Sequence, residues 1–170
     1  MNYSRLGKLQ SDIWWQHDKK QFSQLEKTTQ KFLLLLEFNT NQSKKASKLI
    51  RACYEEYDKA LKTKNFKVME EKHKQAMISL GFSSQNGENY SNWWIYFSQK
   101  DNPKIIKSLF IYHFGFFKGI KKVFAPLFVF LIVLAGILGH NKRNKKVAEM
   151  LLSIYWLVIL TQGKKKFVLY

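Results

Sequence analysis

The sequence has little of the chemistry that defines an active centre. Cys53 is the only cysteine, which excludes an intrachain disulfide framework and a cysteine-ligated zinc or iron-sulfur site within these 170 residues. Glycine and proline are scarce, at eight and two residues, and the sequence has no glycine-rich phosphate loop, His-Glu-x-x-His pair or serine elbow. We therefore expect no catalytic residue, metal site or cofactor, and we do not expect an enzyme.

Acidic residues are scarce in the last part of the chain. Residues 102–170 contain one acid, Glu149, beside twelve of the 29 Lys and Arg residues. Such an excess of positive charge can neutralise nucleic-acid phosphates or anionic lipid headgroups. Because the basic residues here flank long apolar runs, the pattern favours lipid, and no nucleic-acid partner is expected.

Two apolar limbs lie within this basic region. The first, Val123–Asn141, is a run of nineteen uncharged residues, which at about 1.5 Å per residue crosses most of a bilayer core. The second, Val147–Gly163, follows the basic cluster Lys142–Lys146. The two limbs predict a transmembrane helical hairpin with a basic tail in residues 121–170. One span plus a surface helix, or a soluble hydrophobic core, are the alternatives.

Residues 1–82 predict an amphipathic helical region. Apolar positions at three-four spacing predict one helix from Ser11 to Phe38. A second stripe runs from about Ser43 to Lys62, and a third from Phe66 to Leu80, with Gly81 placed where a helix ends. A three-residue turn between the last two helices predicts an antiparallel helical hairpin.

The middle of the chain differs from both ends. Residues 83–104 predict an aromatic-rich linker, and residues 105–120 predict an interfacial helix. The apolar part of that helix is only ten residues long, between Lys107 and Lys118, and about 15 Å of helix is too short to span a membrane. The predicted fold class is therefore all-α, with amphipathic helices preceding the transmembrane hairpin.

Three histidines and one acid are candidates for chemistry. His113 and His140 could ligate haem iron, but a continuous helix would place them about 40 Å apart, so they cannot share one haem. Interfacial polar roles are the preferred interpretation. Glu149 could relay protons in a membrane, but Lys145–Lys146 lie within one helical turn, which predicts a local ion pair. His73 lies on the apolar stripe of its helix, which predicts packing.

Six lysines flank the predicted hairpin and form the predicted lipid-binding site. They are Lys118, Lys121, Lys122, Lys164, Lys165 and Lys166. Antiparallel limbs would bring both groups to one leaflet, where no acid neutralises them. We therefore expect an anionic lipid there, cardiolipin if the membrane is mitochondrial.

Part of the chain resembles known helical hairpins. Residues 47–80 loosely resemble tetratricopeptide and microtubule-interacting-and-transport hairpins, particularly at Ala52, Tyr57, Ala60 and Leu61. A repeat module needs neighbouring copies to bury its face, and no second copy follows. Shared hairpin geometry is therefore the interpretation.

The whole chain carries a second resemblance. Its bias toward Lys, Asn, Gln, Phe and Tyr, its few glycines and prolines, and its layout are similar to lineage-specific accessory subunits of ciliate mitochondrial respiratory complexes. The resemblance implies a non-catalytic structural subunit of a large complex in the mitochondrial inner membrane, in contact with other subunits and cardiolipin. Two alternatives remain: a membrane-anchored adaptor whose helical hairpin binds peptide motifs, and a haem- or quinone-binding membrane anchor of an oxidoreductase.

Overall fold

The computed structural model describes residues 2–82, residues 144–162 and six residues at positions 130, 131, 134, 135, 137 and 138. Every regular element in these ranges is helical: α1 Tyr3–Asp18, α2 Phe22–Leu35, α3 Thr40–Thr63, α4 Lys67–Ser79 and α5 Lys145–Gln162. The predicted all-α class is confirmed at this level. The predicted linker 83–104, the predicted interfacial helix 105–120 and most of the first limb lie outside the described residues.

The helices pack mainly on their neighbours. α1 packs on α2, α2 on α3 and α3 on α4, while α5, although distant in sequence, packs on α1. The turns that connect the first four helices are only three or four residues long. Each helix therefore reverses direction relative to the one before it. The principal contacts therefore run in the order α5, α1, α2, α3, α4.

The predicted single helix from Ser11 to Phe38 is wrong, because the turn Lys19–Gln21 divides it into α1 and α2. Lys20 adopts a left-handed φ of 55°, and two amides of the turn donate to the carbonyls of His17 and Gln16, both at 2.8 Å. This is the Schellman ending of a helix. The apolar period continues across the turn, so periodicity alone did not reveal the break.

Two other helices end in the same way. After α2, Glu37 has a φ of 68° and the Phe38 amide donates to the Leu33 carbonyl at 3.2 Å. After α4, Gly81 has a φ of 91°, and the next amide closes the same type of bond. The predicted position of Gly81 at a helix end is thereby confirmed, whereas Lys20 and Glu37 hold left-handed conformations that are unusual for residues with a side chain.

α3 and α4 form the predicted helical hairpin. Asn39 caps α3 through a reciprocal capping box with Gln42. One core cluster joins the start of α3 to the end of α4 and contains Ala46, Ala76, Met77 and Leu80; another joins the opposite ends and contains Ala60, Phe66 and Met69. The pairing of opposite ends establishes that the two helices are antiparallel.

The second limb coincides with α5 as far as Gln162. Within the described ranges, no helix is long and apolar enough to cross a membrane, so the predicted transmembrane hairpin is not supported. Three charges, Lys145, Lys146 and Glu149, occupy the start of α5. The uncharged remainder from Met150 is about 20 Å long, shorter than a hydrocarbon core of about 30 Å.

Candidate functional site on α5

The inner face of α5 is fully built into the fold. Ala148, Leu152, Tyr155 and Trp156 are buried on this side, where α5 packs on α1. The Trp156 ring also meets the ring of Phe32 on α2 edge to face, with centroids 5.4 Å apart. This face therefore joins α5 to the first two helices.

A glycine on α1 sets how closely the two helices approach. A Cβ on Gly7 would lie 2.5 Å from the Ser153 backbone nitrogen and 2.6 Å from the Glu149 carbonyl oxygen. Both are backbone atoms of α5, which cannot move aside as a flexible side chain could. Glycine is thus required here for close helix packing, the use that small residues serve at tightly packed helix pairs.

Polar groups fix the register between α1 and α5. Lys145 Nζ binds the Asp12 carboxylate, and it also lies 3.9 Å from Glu149 Oε1. Trp156 Nε1 donates a hydrogen bond to Gln10 Oε1 at 2.7 Å. The predicted ion pair of Glu149 with a neighbouring lysine is confirmed. The pairing of Lys145 with Asp12 was not predicted, because the two residues are 133 positions apart and no local spacing connects them.

The opposite face of α5 is also apolar, and it is open. The side chains Val147, Met150, Ile154 and Leu157, here named the outer stripe, follow a three-four spacing and are 39% to 56% exposed. On a helix they occupy one side, over about 15 Å of its length. Thr161 continues the stripe, and its hydroxyl donates internally to the Leu157 carbonyl at 2.6 Å.

Exposed apolar surface is concentrated on the two limbs. Six of the nine exposed large hydrophobic side chains in the described ranges lie there: the outer stripe together with Phe130 and Ile137 of the first limb. The limbs supply only about a fifth of the described residues. A contiguous exposed apolar stripe such as the one on α5 is typical of a surface that contacts a membrane or another protein.

Charge is distributed unequally around α5. Lys145 and Glu149 are about three-quarters buried and pair at the α1 side. Lys146 is exposed at the start of the outer stripe. Between Val147 and Leu157 the outer stripe itself contains no charged and no hydrogen-bonding side chain.

The buried titratable groups of the α3–α4 hairpin belong to its core. Cys53 Sγ donates to the Met69 carbonyl at 3.5 Å, and burial raises the pKa of its thiol far above the ordinary value. Burial also lowers the pKa of His73 to about 3. The packing role predicted for His73 is confirmed, and no cluster of three or more potential metal ligands occurs in the described ranges.

The other predicted sites fall elsewhere. His113, His140 and the six predicted lipid-binding lysines lie outside the described residues. Comparison with protein-family models, curated proteins and solved structures finds no match to this chain.

Proposed function

We propose that this protein is a non-catalytic structural accessory subunit of a large membrane complex, attached through its two apolar limbs. The observation that carries the proposal is that α5 is apolar on opposite faces, one covered by α1 and the other open. A helix at the surface of a water-soluble domain normally has a single apolar face. The second face is therefore suited to lipid or to another subunit.

The four N-terminal helices suit a rigid part outside the bilayer. Their outer surfaces are charged, and ion pairs connect successive helices. Arg51 on α3 binds Glu26 on α2 at 3.2 Å and Glu55 on its own helix at 2.8 Å, while Lys20 in the first turn binds Asp58. A scaffold of this kind can present contact surfaces to neighbouring subunits.

The charge distribution supports attachment to an anionic membrane. The chain carries a net charge of +17, and the basic residues of the last third flank the limbs. Each such residue adds about 1 kcal/mol of attraction near an anionic surface. The proposed complex is a respiratory-chain complex of the mitochondrial inner membrane, with cardiolipin bound at Lys118, Lys121, Lys122, Lys164, Lys165 and Lys166.

Native purification tests the proposed function. The full chain, tagged and expressed in its own cells, is expected to remain in the membrane fraction and to migrate on native gels with a large complex whose other subunits are identified by mass spectrometry. Replacing the six lysines with Gln is expected to reduce retained anionic lipid while catalytic turnover of the assembled complex persists. Recovery of the chain as a free monomer in the aqueous fraction would refute the proposal.

A peptide-binding adaptor is the second candidate, and one feature favours it. An open groove on α4 is lined by Lys67, Val68, Glu71, Lys72 and Gln75, and Val68 and Ile78 are exposed on this helix. A partner peptide could place an apolar side chain against Val68. A small complex whose partner is lost on Val68→Asp, with the fold intact, would support this function over the structural one.

A further inference from the structure

We infer that α5 lies in the plane of an anionic lipid surface and inserts its outer stripe into the boundary between headgroups and acyl chains. The inference rests on the proposed membrane attachment and specifies how it occurs. Interfacial helices bury an apolar face about 5–10 Å into this boundary while their polar side stays in water. For α5, the polar side is replaced by the folded helices packed on its inner face.

The packing of α1 separates this geometry from a membrane span. A spanning α5 would take α1 into the bilayer with it, because the two helices are joined at Gly7 and through Asp12. α1 also exposes Arg5 and Lys8. Each charged residue at the centre of a membrane costs about 2.5–3.5 kcal/mol even on the most lenient scale. With α5 in the plane, α1 stays on the aqueous side and these charges remain solvated.

The chemistry of the outer stripe favours lipid over protein. Protein interfaces surround an apolar centre with a polar rim and form about one hydrogen bond per 100–200 Å². The side chains of the outer stripe supply no such bond, and the Thr161 hydroxyl at its end already donates within the helix. Exposed Lys146 adjoins the stripe, whereas Glu149 is turned toward α1. A second copy of the chain would bring another +17 charges, so an anionic lipid surface is the complementary partner.

Depth measurements distinguish the in-plane geometry from a span. Variants that each add one cysteine to the full chain, Met150→Cys, Ile154→Cys and Leu157→Cys, are labelled with an environment-sensitive dye. Cys53 is buried and is expected to take up no dye. The probe is a vesicle of phosphatidylcholine mixed with phosphatidylglycerol, with lipid-attached quenchers at known depths. We expect equal depth at all three positions. A spanning helix would separate positions 150 and 157 by about 10 Å in depth, and that result would overturn the inference.

Binding measurements test the stripe itself. The double substitution Met150→Gln and Ile154→Gln should weaken binding to these vesicles by about tenfold or more, because two half-exposed apolar side chains lose their transfer to lipid. The matched control, Val68→Gln with Ile78→Gln on α4, removes comparably exposed side chains and should bind like the parent. Circular dichroism should show both variants folded. Equal binding of the stripe variant and the parent would count decisively against the inference.

The results separate this inference from the proposed function. A photo-crosslinker at position 154 that attaches to a protein subunit within a purified membrane complex would refute the lipid contact and leave the structural role intact. Crosslinking of position 154 to lipid, in a chain recovered without any complex, would refute the structural role and leave the lipid contact intact. The parent chain should lose binding when phosphatidylglycerol is omitted, and Lys146→Gln should weaken binding to vesicles that contain it. Both results would support an anionic lipid as the partner.

Discussion

His73 shows how a single buried side chain makes the stability of the α3–α4 hairpin depend on pH. An unfolded histidine takes up a proton near pH 6.5, whereas burial lowers the pKa of folded His73 to about 3. The unfolded chain therefore binds the additional proton between these values. The stabilisation is complete above about pH 6.5 and is lost as the pH falls toward 3.

This difference predicts a pH-dependent slope. The free energy of unfolding should fall by up to about 1.4 kcal/mol per pH unit below pH 6 through His73 alone. Urea denaturation between pH 7.5 and 4, the upper part of the titration window, measures it. The variant His73→Leu should lose the contribution of His73 to the pH dependence of the unfolding free energy and keep the contribution of the carboxylates. Parallel slopes in the two proteins would show that His73 is not held neutral by the fold.

Cys53 should be chemically inert in the folded chain. Burial raises the pKa of the thiol, and the thiolate is the form that reacts. Iodoacetamide at pH 8 should therefore leave the native protein unmodified and label it rapidly in denaturant. A Ser79→Cys variant supplies a more exposed thiol at the end of the same hairpin as a positive control. Equal labelling rates for native and denatured Cys53 would contradict the buried position.

The residue that ends α2 in a left-handed conformation can be replaced to stabilise the protein. Glu37 is exposed and holds a φ of 68°, a conformation that disfavours residues with a Cβ by roughly 1–2 kcal/mol relative to glycine. Glu37→Gly should therefore raise the stability by about 1 kcal/mol, after its greater freedom in the unfolded chain is allowed for. Thermal denaturation of the variant and the parent measures this gain in stability. Glu37→Ala keeps the Cβ and should show no comparable gain.

The close contact between α1 and α5 gives a further prediction. Alanine is the better helix former by about 1 kcal/mol, yet Gly7→Ala should destabilise the protein because its Cβ would meet the backbone of α5. Overpacking of this type costs about 1–3 kcal/mol. Hydrogen exchange should accelerate in α5. The control Ser4→Ala, at an exposed position of the same helix, should leave α5 protected.

Local sequence signals explain which elements could be predicted. The α3–α4 hairpin follows from two apolar stripes and a three-residue turn, and Gly81 is recognisable at a helix end because glycine commonly occupies this position. Lys20 performs the same function without glycine, so the turn between α1 and α2 was not predicted. The turn at Glu37 was predicted only as the gap between a helix ending at Phe38 and a helix beginning near Ser43. The partnership of Gly7 and Asp12 with α5 depends on contacts across most of the chain, which no periodicity reports.

On the scale of the whole molecule, the apolar side chains of α5 are divided between a packed face and an open face. From sequence alone, an apolar helix beside lysines predicts a membrane span, because lipid and protein packing select the same residue types. The structure separates them by face: Leu152 is completely buried and Ile154 is substantially exposed, only two residues apart. One face should therefore determine folding, and the other should determine attachment.

A pair of substitutions tests this separation. Leu152→Asp places a charge in the packed face and should destabilise the fold by several kcal/mol, releasing α5 from α1. Ile154→Asp places the same charge in the open face, where water reaches it, and should leave the melting temperature in aqueous buffer within a few degrees of the parent. The second variant should nevertheless be lost from the membrane fraction, because a carboxylate in the outer stripe opposes burial in lipid. Retention of Ile154→Asp in the membrane fraction would show that the open face takes no part in attachment.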